Sequence, residues 1–224
     1  MGTMAVAPEL AAPGWALFAV LVALALRRAL HPAVRREFLP QSIQQHAWLA
    51  GIVILGVLWS LRIRVGGGLH LSMIGVSLYA LVFGYERALL GAAVALLGLT
   101  ALTQGAWREV GTTGLLLVAA PARIATALQR LLAARLPRNL FVFIIGNGLF
   151  GTLIASGGAG AALLALQMAT AATAFPNAGE IFGYALLLAW GEALASGMVF
   201  SALVIYLPQV VMTYAQDEYL PPRR

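Results

Sequence analysis

Cysteine is absent from the chain, which removes disulfides, thiolate metal sites, iron–sulfur clusters and thiol catalysis together. Lysine is absent as well, so every fixed positive charge is an arginine and no Walker A loop can form, because that loop needs its lysine on the nucleotide phosphates. The chain cannot hydrolyse ATP by that route; ATP-driven work would need another subunit. Charge is scarce: 10% of residues are charged against 61% hydrophobic, and the mean hydropathy is +0.89. A soluble domain carries about a quarter charged residues, so the 224 residues read as a single integral membrane domain, 1–224, with no separate soluble domain. The amino end lacks a basic stretch before its first apolar run, which argues against a cleaved signal peptide. No HExxH, nucleophile-elbow or nucleotide-binding glycine pattern is present, so the reading is not an enzyme.

What is present is a series of long apolar runs punctuated by arginine. The net charge of +6 is explained by topology rather than by nucleic-acid binding, because the arginines cluster between runs. A first span runs from Leu10 to Leu26, with Pro13 near its start and Trp15 as an interfacial anchor; Arg27, Arg28, Arg35 and Arg36 follow it. By the positive-inside rule the amino terminus is outside. The second span is His46 to Leu61, the third Leu69 to Tyr85, the fourth Ala88 to Thr103, and the fifth starts at Gly111. Residues 139–175 exceed one bilayer thickness and are interrupted by Ser156-Gly157-Gly158-Ala159-Gly160, which predicts one crossing with a broken or re-entrant portion. The last span is Glu180 to Leu207. The fold class expected is all-α: a polytopic membrane bundle of about seven transmembrane helices, amino end out and carboxyl end in, in a lipid bilayer.

Three places carry candidate chemistry. The stretch Gly66-Gly67-Gly68-Leu69-His70-Leu71-Ser72-Met73-Ile74-Gly75 puts a histidine after a glycine-rich turn at the mouth of the third span. A neutral imidazole there can ligate a transition metal, with Met73 and Ser72 as weaker donors; a histidine merely hydrogen-bonded at a helix mouth is the plainer reading. Glu192, in the middle of the last span with no basic residue on that span, must be protonated or paired, since a bare carboxylate at that depth costs several kcal/mol. Arg123, inside the fifth span beyond Pro121, is one possible partner, a backbone or hydroxyl hydrogen bond another and a transported cation a third; snorkelling of Arg123 to the inner surface is the alternative for that arginine. Arg62 and Arg64, on the outer side, could bind an anion or lie solvated. Small residues at Gly148-Leu149-Phe150-Gly151 and Gly191-Glu192-Ala193-Leu194-Ala195 permit close helix packing, within the bundle or against a second subunit.

The order of these elements resembles the substrate-capture permease component of cobalt and nickel energy-coupling-factor ABC transporters, the CbiM/NikM family. Gly68-Leu69-His70-Leu71 with Gly75 resembles the family's glycine-rich, histidine-containing start of its third helix. Leu81-Val82-Phe83-Gly84 is similar to the "ILFG" that closes it, Leu99 to Gly105 to the loop after the fourth helix, Ala174-Phe175-Pro176 to "AFP", and Gly191-Glu192-Ala193-Leu194-Ala195 to "AEGLLT". The resemblance covers most of the chain. It implies an S-component-like fold, a divalent transition metal as substrate rather than as a resident cofactor, and His70 as a ligand of that ion. It also implies a transmembrane coupling subunit and ATPase subunits as partners, in the bacterial inner membrane. The amino end departs: Met4-Ala5-Val6 stands where the family has Met-His-Ile, so the second imidazole is missing. A non-transporting accessory or assembly subunit that keeps the permease fold is the alternative.

Overall fold

Apolar length sets the architecture. In the computed structural model, residues 8–30, 43–61, 63–65, 69–71, 73–103, 105, 107–137, 139–170 and 178–214 are described; for 8–10, 63–65, 69–71, 167–170, 178 and 181 the description is of backbone alone. The order is α1 (Pro8–Ala29), α2 (Ile43–Ser60), an antiparallel hairpin of β1 (Ile63–Val65) and β2 (Leu69–Leu71), α3 (Val76–Phe83), α4 (Tyr85–Leu102) and α5 (Trp107–Arg135). The helix α6 is continuous through Leu140–Val142, Phe143–Gly151 and Thr152–Thr170, and α7 is Ala178–Tyr206. Among the described residues six of these seven helices are long and apolar enough to cross a membrane; α3 is the exception. The all-α, polytopic class expected from composition is the one found.

Two expectations need correction. Leu69 to Tyr85 is not one helix: its first three residues are the β2 strand, Met73–Gly75 has no regular structure, and α3 has eight residues, about 12 Å at 1.5 Å per residue. The physical cause lies at Gly75, whose φ of 67° is left-handed and stops the helix from extending toward the amino end. Residues 156–160 do not interrupt α6, which runs helical through all five. Their small side chains serve packing instead: a β-carbon on Gly157 would lie 3.7 Å from that of Ala189 on α7.

The irregularities sit elsewhere, in two π-helical stretches, Gly114–Ala119 in α5 and Phe143–Gly151 in α6. The first ends just before Pro121, which has no N–H to give a carbonyl one turn back and whose ring crowds that carbonyl; the wider π turn accommodates both.

Glycine holds the helices together. A β-carbon on Gly111 of α5 would stand 2.3 Å from the Trp15 nitrogen of α1, and one on Gly114 would stand 2.6 Å from the Phe18 ring. The backbones of α1 and α5 therefore meet directly, as expected where lipid supplies no hydrophobic drive between helices. Gly148 of α6 faces Gly197 and Phe200 of α7 in the same way, within 3.3 Å. The Tyr79 ring of α3 fills a slot between Gly51 of α2 and Gly91 of α4, donates its hydroxyl to the Trp48 carbonyl at 2.8 Å, and packs edge-on against Phe83. The core gathers around α3, of which seven of eight residues are buried.

Candidate functional site

The hairpin that carries His70 is fixed in register: Arg64 pairs with His70, Ile63 with Leu71 and Val65 with Leu69. Beyond β2 the chain runs through Met73–Gly75, which has no regular structure, and enters α3 at Val76. Helix starts expose backbone N–H groups with no partner inside the helix, a cost that matters most away from water. Gly75, the residue before α3, has no side chain to cap it.

Glu192 supplies what is missing. From the centre of α7 its carboxylate accepts the Ile74 N–H at 2.7 Å through Oε2 and the Gly75 N–H at 2.8 Å through Oε1. The Ser156 hydroxyl of α6 donates to Oε1 at 2.7 Å, and Ser77 of α3 lies 2.9 Å from the Ser156 hydroxyl. On the other face of the same peptide, the Trp59 indole of α2 donates to the Ile74 carbonyl at 2.9 Å. Four helices thus converge on one extended segment. Glu192, Ser156 and Ser77 are all buried, and the carboxyl oxygens lie at the amino end of α3.

The polar pair of Glu192 with Arg123 is not formed. The partners of Glu192 are a hydroxyl and two backbone N–H groups, while Arg123 is exposed and sits over the Tyr85 ring, 5.4 Å from its centroid. The reason is positional: Tyr85 begins α4 beside Glu86 and Arg87, at the end of the bundle where α3 finishes, whereas Glu192 serves the start of α3. Sequence offered a backbone or hydroxyl hydrogen bond among the possible partners of this buried acid, and both are found, but it did not point to the Ile74 and Gly75 backbone as the donors. The signal that could have found it was Gly75 itself, a capless glycine ahead of a short apolar run.

At its other end α3 is again completed from outside. The Met212 N–H donates to the Val82 carbonyl at 2.8 Å and the Thr213 hydroxyl donates to the Leu81 carbonyl, so the segment after α7 closes the last turn.

Met73 is half-buried on the stretch just ahead of the Glu192 clamp, so the chain path brings it close in sequence to both His70 and the acid. The His70 side chain, Ser72, Arg62 and Met4-Ala5-Val6 lie outside the described residues, as does Ala174-Phe175-Pro176. Among the described residues no group of three or more His, Cys, Asp or Glu side chains could hold a metal ion. What the described part of the site does chemically is positional: it fixes the peptide that follows the hairpin by hydrogen bonds on both faces.

Comparison with known proteins places this arrangement. The family described as "Cobalt uptake substrate-specific transmembrane region" (CbiM) matches residues 3–210. A solved structure titled "Crystal Structure of an transition metal transporter" superimposes with a TM-score of 0.71 at 16% identity, covering 94% of this chain and 92% of that one. At that identity the likeness speaks for the fold. No curated protein matches.

Proposed function

We propose that this chain, which belongs to the family of cobalt uptake substrate-specific transmembrane regions, is the substrate-capture membrane subunit of an energy-coupling-factor-type ABC transporter. Its substrate in this reading is a transition-metal ion of the cobalt or nickel class. The observation that carries the reading is the family match from residue 3 to residue 210, which spans every helix but the carboxyl tail. The geometry supports it. A capture site needs ligands held at a fixed place, and the stretch between His70 and α3 is pinned by Glu192 and Trp59.

In this reading His70 supplies an imidazole nitrogen to the ion and Met73 a softer thioether, both suited to late first-row metals. Energy comes from ATPase subunits through a transmembrane coupling subunit, because the chain lacks the lysine a Walker loop requires. The amino end lies outside and the carboxyl end in the cytoplasm of a bacterial cell membrane, a reading supported by the arginines after α1, Arg87 at the start of α4 and Arg130 and Arg135 at the end of α5.

One observation favours a second reading, a non-transporting accessory or assembly subunit: alanine at position 5 removes the imidazole that the resemblance places at the amino end. Cobalt and nickel uptake in cells expressing the chain with its coupling and ATPase subunits separates the two. The expected outcome is uptake by the native chain and its loss to background in His70→Ala. Uptake by His70→Ala equal to the native chain would remove the histidine from the mechanism. No uptake by either, with stable co-purification of non-transporter partners, would establish the accessory reading.

A further inference from the structure

A cleft of about 560 Å³ opens between the carboxyl end of α1 and the α3–α4 junction. Its walls include Leu24, Arg27, Arg28, Phe83, Glu86 and Arg87. Arg27 and Arg28 line it beside the Glu86 carboxylate, while Arg87 gives an N–H to the Met212 sulfur at 3.2 Å. Arg28 meets Glu86 through a single contact of 3.4 Å and leaves its side chain 67% exposed, so most of its donors point to solvent or to a ligand. Arg123 on the neighbouring Tyr85 ring adds a fourth cation at the margin.

Depth supplies an independent argument. The candidate span of α1 ends at Ala29 and that of α4 begins at Tyr85, so the arginines stand where two spans leave the hydrocarbon. The Trp48 indole bonds the Arg87 carbonyl at 3.0 Å at this same end, as an interfacial tryptophan does. Leu24, one turn deeper, is 48% exposed on the lipid-facing side of α1 and continues the cleft into an apolar surface. A charged rim over an apolar floor matches the two parts of one molecule.

We infer that this cleft is a binding site for a phosphate-bearing anionic phospholipid, with the phosphate held by Arg27 and Arg28 and the glycerol and upper acyl chain lying over Leu24. Arginine suits the role because its planar fork can give two parallel N–H bonds to one phosphate. The inference is independent of the metal-capture reading, since it uses neither His70 nor the α3 start.

The test is lipid titration of the purified full-length chain, read by native mass spectrometry, with phosphatidylglycerol, phosphatidylcholine and inorganic phosphate as separate probes. Phosphatidylglycerol is expected to bind more tightly than phosphatidylcholine. The preference should fall on the order of fivefold for each arginine removed in Arg27→Gln and Arg28→Gln, and fall less in Arg27→Lys with Arg28→Lys, which keep the charge but not the planar fork. Circular dichroism establishes that the variants are folded, which these exposed positions should allow. Equal binding of the two lipids by the native chain, or an unchanged preference in the double glutamine variant, overturns the inference. Displacement of phosphatidylglycerol by inorganic phosphate at comparable concentration assigns the cleft to a soluble phosphate and overturns the lipid part.

Discussion

Helices α3 and α7 solve the same problem in opposite ways. Backbone polar groups inside a membrane must be satisfied by the protein. With 29 residues, α7 meets most of that demand by its own ladder and, among the described residues, buries only the stripe Ala189, Glu192, Ala193, Ser196, Phe200 and Val204, spaced as one helical face, while Leu187 and Met198 stand exposed to lipid. With eight residues, α3 has a large share of its groups at its ends, and it borrows partners there: Glu192 for its start, Met212 and Thr213 for its finish. Length gives autonomy; a short helix is a dependent of its neighbours. The gain is placement, because an element held by others is placed by them.

The sharpest way to break the contrast is to remove the borrowed partner. Glu192→Ala leaves the Ile74 and Gly75 N–H groups buried without acceptors, and should lower stability by about 3 kcal/mol in a lipid or detergent unfolding assay. Loss of metal binding should accompany it if the α3 start positions His70. A change below ~0.5 kcal/mol would mean that the end of α3 does not depend on this carboxylate.

The next effect tests burial rather than capping. Gly91→Ala sets a methyl 2.4 Å from the Tyr79 hydroxyl, in a slot already closed on its other side by Gly51. Overpacking of that kind costs about 1–3 kcal/mol, and thermal unfolding of the purified variant measures it. The smallest effect belongs to α7. A methyl on Gly183 meets nothing within 4 Å, so Gly183→Ala should be neutral or stabilise by about 0.5–1 kcal/mol in the same assay. A large loss there would show that α7 is not autonomous and would erase the distinction.

The same contrast marks what could be read from the residues. Spans such as Pro8–Ala29 and Ala178–Tyr206 were visible because each is a long apolar run bounded by charge or proline, and hydropathy measures that directly. Hydropathy does not measure backbone geometry. It could not separate a hairpin and a short helix from one full span between Leu69 and Tyr85, since both bury apolar residues. It also read Ser156 to Gly160 as a break, where glycine in a membrane helix serves close approach. The burial of Glu192 was legible because an acid amid apolar sequence is conspicuous. Its partners were legible in kind, since a backbone or hydroxyl hydrogen bond stood beside Arg123 and a cation as possibilities, but not in place, because backbone N–H groups carry no sequence signature. The π-helical turns left a single hint, Pro121.

The dependence of α3 on distant chain has a consequence for biogenesis. The bonds that complete it reach 118 residues ahead to Glu192 and 132 ahead to Thr213. A ribosome feeding this chain to the insertion machinery delivers Val76 to Phe83 long before either partner exists. The first helices can settle pairwise as they emerge, but this one must wait, sheltered by α2 and α4, until the final span and the turn beyond it arrive. Closure of the α3 start is therefore among the last events of assembly, and a nascent chain stalled before Glu192 carries its hairpin without the clamp that holds the peptide after it.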